Sequence, residues 1–141
     1  MAIPEVSLYK KNDNFQNKFS HTFELINKIN RFCEERLSCA FVLVIIPELL
    51  QIKPDLLNLI IRAYRIDPND YNWLQPQLAL NDFCIKNNIY CLDLLPIFKE
   101  IQQEEPLYFG LDIHWNARGH LQAANEIFKF IKKEKIFIGV Q

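Results

Sequence analysis

Asp112 and His114 stand two residues apart in Gly110-Leu111-Asp112-Ile113-His114-Trp115-Asn116, a spacing that lets one short loop bring a carboxylate to an imidazole. In acyl transfer a histidine must take a proton from the nucleophile. A carboxylate at its other ring nitrogen fixes the tautomer and stabilises the imidazolium that forms. The loop must turn between the two residues. Gly110 offers permissive backbone for that turn, and Asn116 is placed to cap a helix starting near Ala117. The three glycines, Gly110, Gly119 and Gly139, all lie at or after this motif, and no Gly-x-Ser turn exists. Ser7, Ser20 and Ser38 lack the glycine neighbours that a sharp nucleophile turn needs. The sequence therefore reads as a base with its orienting acid and no evident nucleophile.

The elements that must position this pair follow from periodicity. Residues 1–14, with Pro4 and Asn12-Asp13-Asn14, are polar and irregular and read as a leader without its own core. Apolar residues from Phe15 onward recur at three to four residue steps, which predicts a helix over 15–37. Residues 40–47 (AFVLVIIP) are continuously apolar without alternation, the pattern of a strand covered on both faces in a parallel sheet. Pro54-Asp55 opens a second helix that Asp67-Pro68-Asn69-Asp70 breaks. A third helix over 76–87 leads to a second strand over 89–94, completing a βαβ crossover.

A short helix over 96–102 and a surface loop over 103–106 follow. The last long helix, 117–133, is expected to bury Leu121, Ala124, Phe128 and Ile131 as one stripe. Residues 136–140 are a terminal strand or a tail. The motif thus falls in a loop after a strand, where open α/β sheets place their sites. Two or three strands leave an open sheet edge, so the chain reads as part of a larger layer sandwich.

Asp112-Ile113-His114-Trp115-Asn116, followed by Gly119-His120 and a helix containing Ala124, resembles the last conserved block of the SGNH (GDSL) hydrolases, esterases and acyltransferases of flavodoxin-like fold. Residues 41–52 (FVLVIIPELLQI) resemble that family's later core strand, and residues 89–96 (IYCLDLLP) the strand and turn leading into the block. The resemblance spans roughly residues 15–131. It implies an α/β, three-layer flavodoxin-like parallel sheet, present in part, with residues 15–141 as the C-terminal portion of such a domain. His114 would be the general base and Asp112 its partner.

Two departures follow. The Asp-x-His spacing is similar to that of the alginate-type O-acetyltransferase branch, where the serine follows the motif, yet no serine occurs after Ser38. In the ordinary branch the serine sits in an N-terminal Gly-Asp-Ser turn, with a glycine and an asparagine from later loops in the oxyanion hole. None of these blocks is found. The implied function is hydrolysis or transfer of an O-acyl ester, with the chain inactive alone and its ester substrate bound once an N-terminal half completes it. The alternative is a non-catalytic remnant or interaction module that pairs through the open sheet edge, with itself or with another chain. No cofactor is implied.

Other residues admit plainer roles. Trp115 anchors the loop or lines an acyl pocket. Asp112, His114 and His120 together could chelate a metal, although His120 in the first turn of a helix needs no such explanation. His21 reads as solvated, Asp93 as a turn cap or a hidden acid, and Cys39 or Cys91 as a replacement nucleophile only beside His114. The four cysteines show no Cys-x-x-Cys spacing and read as buried thiols of a reducing compartment. The formal charge of -1 gives no electrostatic footprint for nucleic acid or anionic lipid. The longest apolar run is about a third of a membrane span, and no signal peptide is evident, so the expected location is cytoplasmic, without a membrane partner.

Overall fold

The structure, a computed structural model, describes residues 6–11, 17, 19–110 and 112–136. Six helices and two strands alternate along these residues as α1 (Ser20–Leu37), β1 (Val42–Ile45), α2 (Leu49–Ile52), α3 (Pro54–Ala63), α4 (Gln75–Lys86), β2 (Tyr90–Asp93), α5 (Leu95–Glu104) and α6 (Ala117–Lys133). β1 and β2 pair as a two-stranded parallel sheet, so the expected α/β class and crossover are present. The chain divides into two compact units, Met1–Leu43 with Pro54–Cys91, and Val44–Lys53 with Leu92–Gln141. The division runs through the middle of both strands.

In the first unit, α1 ends where Ser38 adopts left-handed backbone (φ 50, ψ 38) and returns its N–H to the Cys33 carbonyl. Its solvent face carries Glu24–Lys28 and Arg31–Glu35 ion pairs at i,i+4, which contribute little at such exposure. Phe23 stacks on Phe83 of α4 with centroids 4.7 Å apart. Within the segment expected to be a leader, Val6–Tyr9 forms a buried 3-10 turn packed by α4. The Tyr9 ring lies 5.1 Å from Trp73, and Asn72 N–H donates to the Tyr9 carbonyl at 2.7 Å. Those residues are part of the first unit's core.

The second unit is built on α2, α5 and α6. Leu49, Ile52, Leu94, Leu95, Phe98, Leu107 and Tyr108 are buried, and α2 packs on α5. Phe98 and Leu107 are fully withdrawn from solvent, which contributes about 1.5–3 kcal/mol for each side chain. Asp93 turns the chain into α5 by accepting the Leu95 N–H at 2.9 Å; burial raises its carboxyl above the ordinary range, against the pull of that bond and of Lys99.

Two expectations about packing are corrected. α6 does not bury the stripe Leu121, Ala124, Phe128 and Ile131. Leu121 and Phe128 are 58% and 57% exposed, Ala124 is exposed, and Ile131 is half-buried. The helix turns Gly119 and Ala123 inward instead, because small residues allow closer backbone approach than the Leu/Phe stripe. Nor are the strands covered on both faces: Val42, Leu43 and Val44 are half-buried and Tyr90 is 41% exposed. Continuous apolar sequence fits a two-sided cover, but the described residues supply only part of it. Beyond Ile136, the terminal strand or tail lies outside the described residues. Among the described residues, no helix is long and apolar enough to cross a membrane.

Candidate active site

The site is a hairpin between α5 and α6. Its base is antiparallel: Tyr108 bridges Trp115, Asn116 N–H donates to the Leu107 carbonyl at 3.0 Å, and Phe109 N–H donates to the His114 carbonyl at 3.1 Å. Tyr108 threads its hydroxyl to the Pro47 carbonyl at 2.6 Å, and burial pushes its phenol up to about 12. It is therefore a permanent neutral donor. This contact ties the hairpin to the segment after β1, across 61 residues of sequence.

Asn116 joins the hairpin to α6. Its Oδ1 accepts the N–H groups of Arg118 and Gly119 at 2.9 and 3.0 Å, the N-cap expected from the sequence. Its Nδ2 donates to the carbonyls of Pro106 and Tyr108 at 2.9 and 3.3 Å. Gly119 completes the joint. A Cβ there would stand 2.3 Å from the Leu107 carbonyl oxygen and 3.0 Å from the Trp115 Cβ, so only glycine lets the first turn of α6 lie against the hairpin. Trp115 anchors the loop, its ring 5.2 Å from Phe98, rather than standing in an open pocket. Gly110 is a different case. A Cβ there would meet nothing within 4 Å, and its φ lies outside the left-handed range, so the turn does not demand glycine.

At the tip, Asp112 Oδ1 accepts the backbone N–H of His114 at 3.0 Å and also meets the ring Nδ1 of the same residue. An aspartate bonding two residues ahead is a self-contained turn, which needs no distant support to form. The His114 side chain lowers the Asp112 carboxyl below its ordinary 3.8, aided by the backbone bond. Because the shift is downward, the carboxylate stays charged as pH falls to that value, and the turn loosens only below it. With Nδ1 engaged, Nε2 is the nitrogen left to act, on a side chain 76% exposed. Ile113 and Phe109 beside it are 69% and 54% exposed.

His120 is exposed, edge-on to Trp115 at 5.5 Å. Among the described residues, no three His, Cys, Asp or Glu side chains gather where they could hold a metal ion. His21 is exposed and faces Glu24 at 3.8 Å. Cys39 and Cys91 belong to the first unit, as do Ser7, Ser20, Ser38 and the chain's one threonine, Thr22. The second unit contains no serine, threonine or cysteine in its sequence. Tyr108 and Gly119 as supports of the hairpin are found by the structure, as are the two bonds donated by the Asn116 side-chain amide; the contact from Tyr108 to Pro47 has no signature in local spacing.

The model of the family described as SGNH hydrolase-like domain, acetyltransferase AlgX, matches residues 6–140. No curated protein and no solved structure matches.

Proposed function

The chain belongs to the SGNH hydrolase-like family of AlgX acetyltransferase type, and from that premise we propose that Asp112 and His114 are the acid and base of an O-acyl transfer centre whose nucleophile is supplied from outside this sequence. The carrying observation is the double hold of Asp112 Oδ1 on His114, through backbone N–H and ring Nδ1, which presents Nε2 outward. His114 Nε2 would take the proton of a serine hydroxyl as its oxygen attacks the acyl carbonyl. The imidazolium, stabilised by Asp112, returns that proton to the departing alkoxide, leaving an acyl-serine. An acceptor hydroxyl then gives its proton to Nε2, attacks the acyl carbon and leaves with the acyl group. Water in place of the acceptor makes the same centre a hydrolase.

Two observations support an external nucleophile. The second unit has no serine, threonine or cysteine, and the AlgX description favours the branch in which the serine follows the Asp-x-His motif over one with an N-terminal Gly-Asp-Ser turn. An acetyl donor fits the same description. The chain alone is expected to resist fluorophosphonate labelling and to turn over p-nitrophenyl acetate at background rate. Labelling of Ser7, Ser20 or Ser38 would overturn the external nucleophile. Nitrogen-15 NMR of the imidazole tests the pair: a neutral His114 protonated at Nδ1 is expected, and the opposite tautomer removes the base.

A second reading, an interaction module, draws on the apolar surface left open. The strands are only partly covered, with Val42, Leu43 and Val44 half-buried and Tyr90 41% exposed. Self-association through the sheet edge would appear as a dimer in sedimentation as concentration rises. A monomer throughout removes that reading.

A further inference from the structure

The cysteines, read from the sequence as buried thiols, fall into two neighbouring pairs, and only Cys84 is buried, Cys39 being exposed at a helix exit. Cys33 lies in the last turn of α1 and Cys39 in the extended segment before β1; Cys84 lies in the last turn of α4 and Cys91 in β2. Each pair spans the exit of a helix toward the strand that follows. None of the four is joined in a disulfide.

The two pairs differ in access. Cys84 is 1% exposed, and Cys91 Sγ is engaged by Asn81 Oδ1 at 3.3 Å. Cys39 is exposed and Cys33 half-buried. Left-handed backbone at Ser38 reverses the chain so that Cys39 N–H donates to the Cys33 carbonyl at 3.0 Å. A direct backbone bond between two residues holds their Cα atoms within the roughly 4.4–6.8 Å that a disulfide spans. Cys39 also stands on the wall of an open cavity of about 300 Å³, shared with Asn30, Glu34, Ser38 and Asn88, through which a small polar oxidant can reach it.

We propose that Cys33 and Cys39 are a reversible thiol–disulfide modification site, closed by small disulfides of the glutathione class, while Cys84 and Cys91 remain reduced in the folded protein. The Cys39 thiolate attacks one sulfur of oxidised glutathione and displaces a glutathione thiolate, forming a mixed disulfide. The Cys33 thiolate then attacks the Cys39 sulfur, displaces the second glutathione thiolate and closes the bridge. Two protein thiols are oxidised and one glutathione disulfide is reduced to two thiols, with the protein's two thiol protons passing to solvent or to those thiolates. Partial burial, and after it the neighbouring Cys39 thiol, raise the Cys33 thiol above its ordinary range. The smaller thiolate fraction slows the closing step at neutral pH, and that step accelerates as pH rises. The bridge would staple the end of α1 to the entry of β1.

The test is incubation of the folded chain with oxidised glutathione, followed by thiol titration and peptide mapping without reduction. The titratable thiols are expected to fall from the four in the sequence by two, with a Cys33–Cys39 peptide and a mass lower by two hydrogen atoms. Cys33→Ser should stop at a glutathione adduct on Cys39, and Cys39→Ser should leave all remaining thiols reduced. Retention of every thiol, a stable adduct on Cys39 in the wild type, or closure of Cys84 with Cys91 first would each overturn the proposal. The readout is chemical, so it stands or falls independently of any ester activity.

Discussion

The base and the tip of one hairpin obey opposite rules. At the base, Leu107 and Tyr108 are only 0% and 2% exposed, and the backbone, the Tyr108 hydroxyl and both ends of the Asn116 amide are bonded. At the tip, four residues away, Ile113 and the Asp112–His114 pair face solvent. The base has one conformation because many buried contacts require it, whereas the tip has one because a single carboxylate oxygen holds two groups of the same histidine. The difference separates two kinds of loss: changes at the base should cost stability, and changes at the tip should cost chemistry.

The largest effect tests the tip. With the nucleophile supplied as the proposed function requires, His114→Ala is expected to lower ester turnover on the order of a million-fold, as removal of the base does in triad enzymes. Thermal unfolding should not move, and a shift in the melting curve comparable to that of a base substitution would break the contrast. Asp112→Asn comes next, at about ten-thousand-fold in kcat, since the amide favours the wrong histidine tautomer. An undiminished kcat would reduce Asp112 to a turn former.

Substitutions at the base come lower. Gly119→Ala forces a methyl to within 2.3 Å of the Leu107 carbonyl, and overpacking of this kind costs about 1–3 kcal/mol. Chemical denaturation should show it, with an unchanged midpoint arguing that α6 slides away freely. Asn116→Ala removes the cap of α6, for about 0.5–2 kcal/mol, and also leaves the Pro106 and Tyr108 carbonyls without that donor. Smallest is Ile113→Ala, within about 0.5 kcal/mol in the same denaturation experiment, as befits an exposed side chain. A larger loss would mean that the tip is packed.

Much of the framework was legible because its signals are local. α6 runs over the expected residues, with Asn116 capping it, and α3 begins at Pro54 where a missing N–H is harmless. α2 was not separated from the apolar run before it, since Leu49–Ile52 is too short to show a period. The inward face of α6 was misassigned because hydrophobicity favoured Leu121 and Phe128, whereas proximity of backbone favoured Gly119 and Ala123. Of the candidate site, only the contact between Asp112 and His114 was legible from spacing. The support from Tyr108 was not: its partner is Pro47, and no sequence pattern links residues so far apart.

The two residues of the pair are joined by one intervening isoleucine, and their hold on each other asks almost nothing of loop-closure entropy. Such a turn can form in the nascent chain before any tertiary contact exists. A nucleophile recruited from a distant stretch of polypeptide would have no such independence, because its approach to His114 waits on tertiary folding.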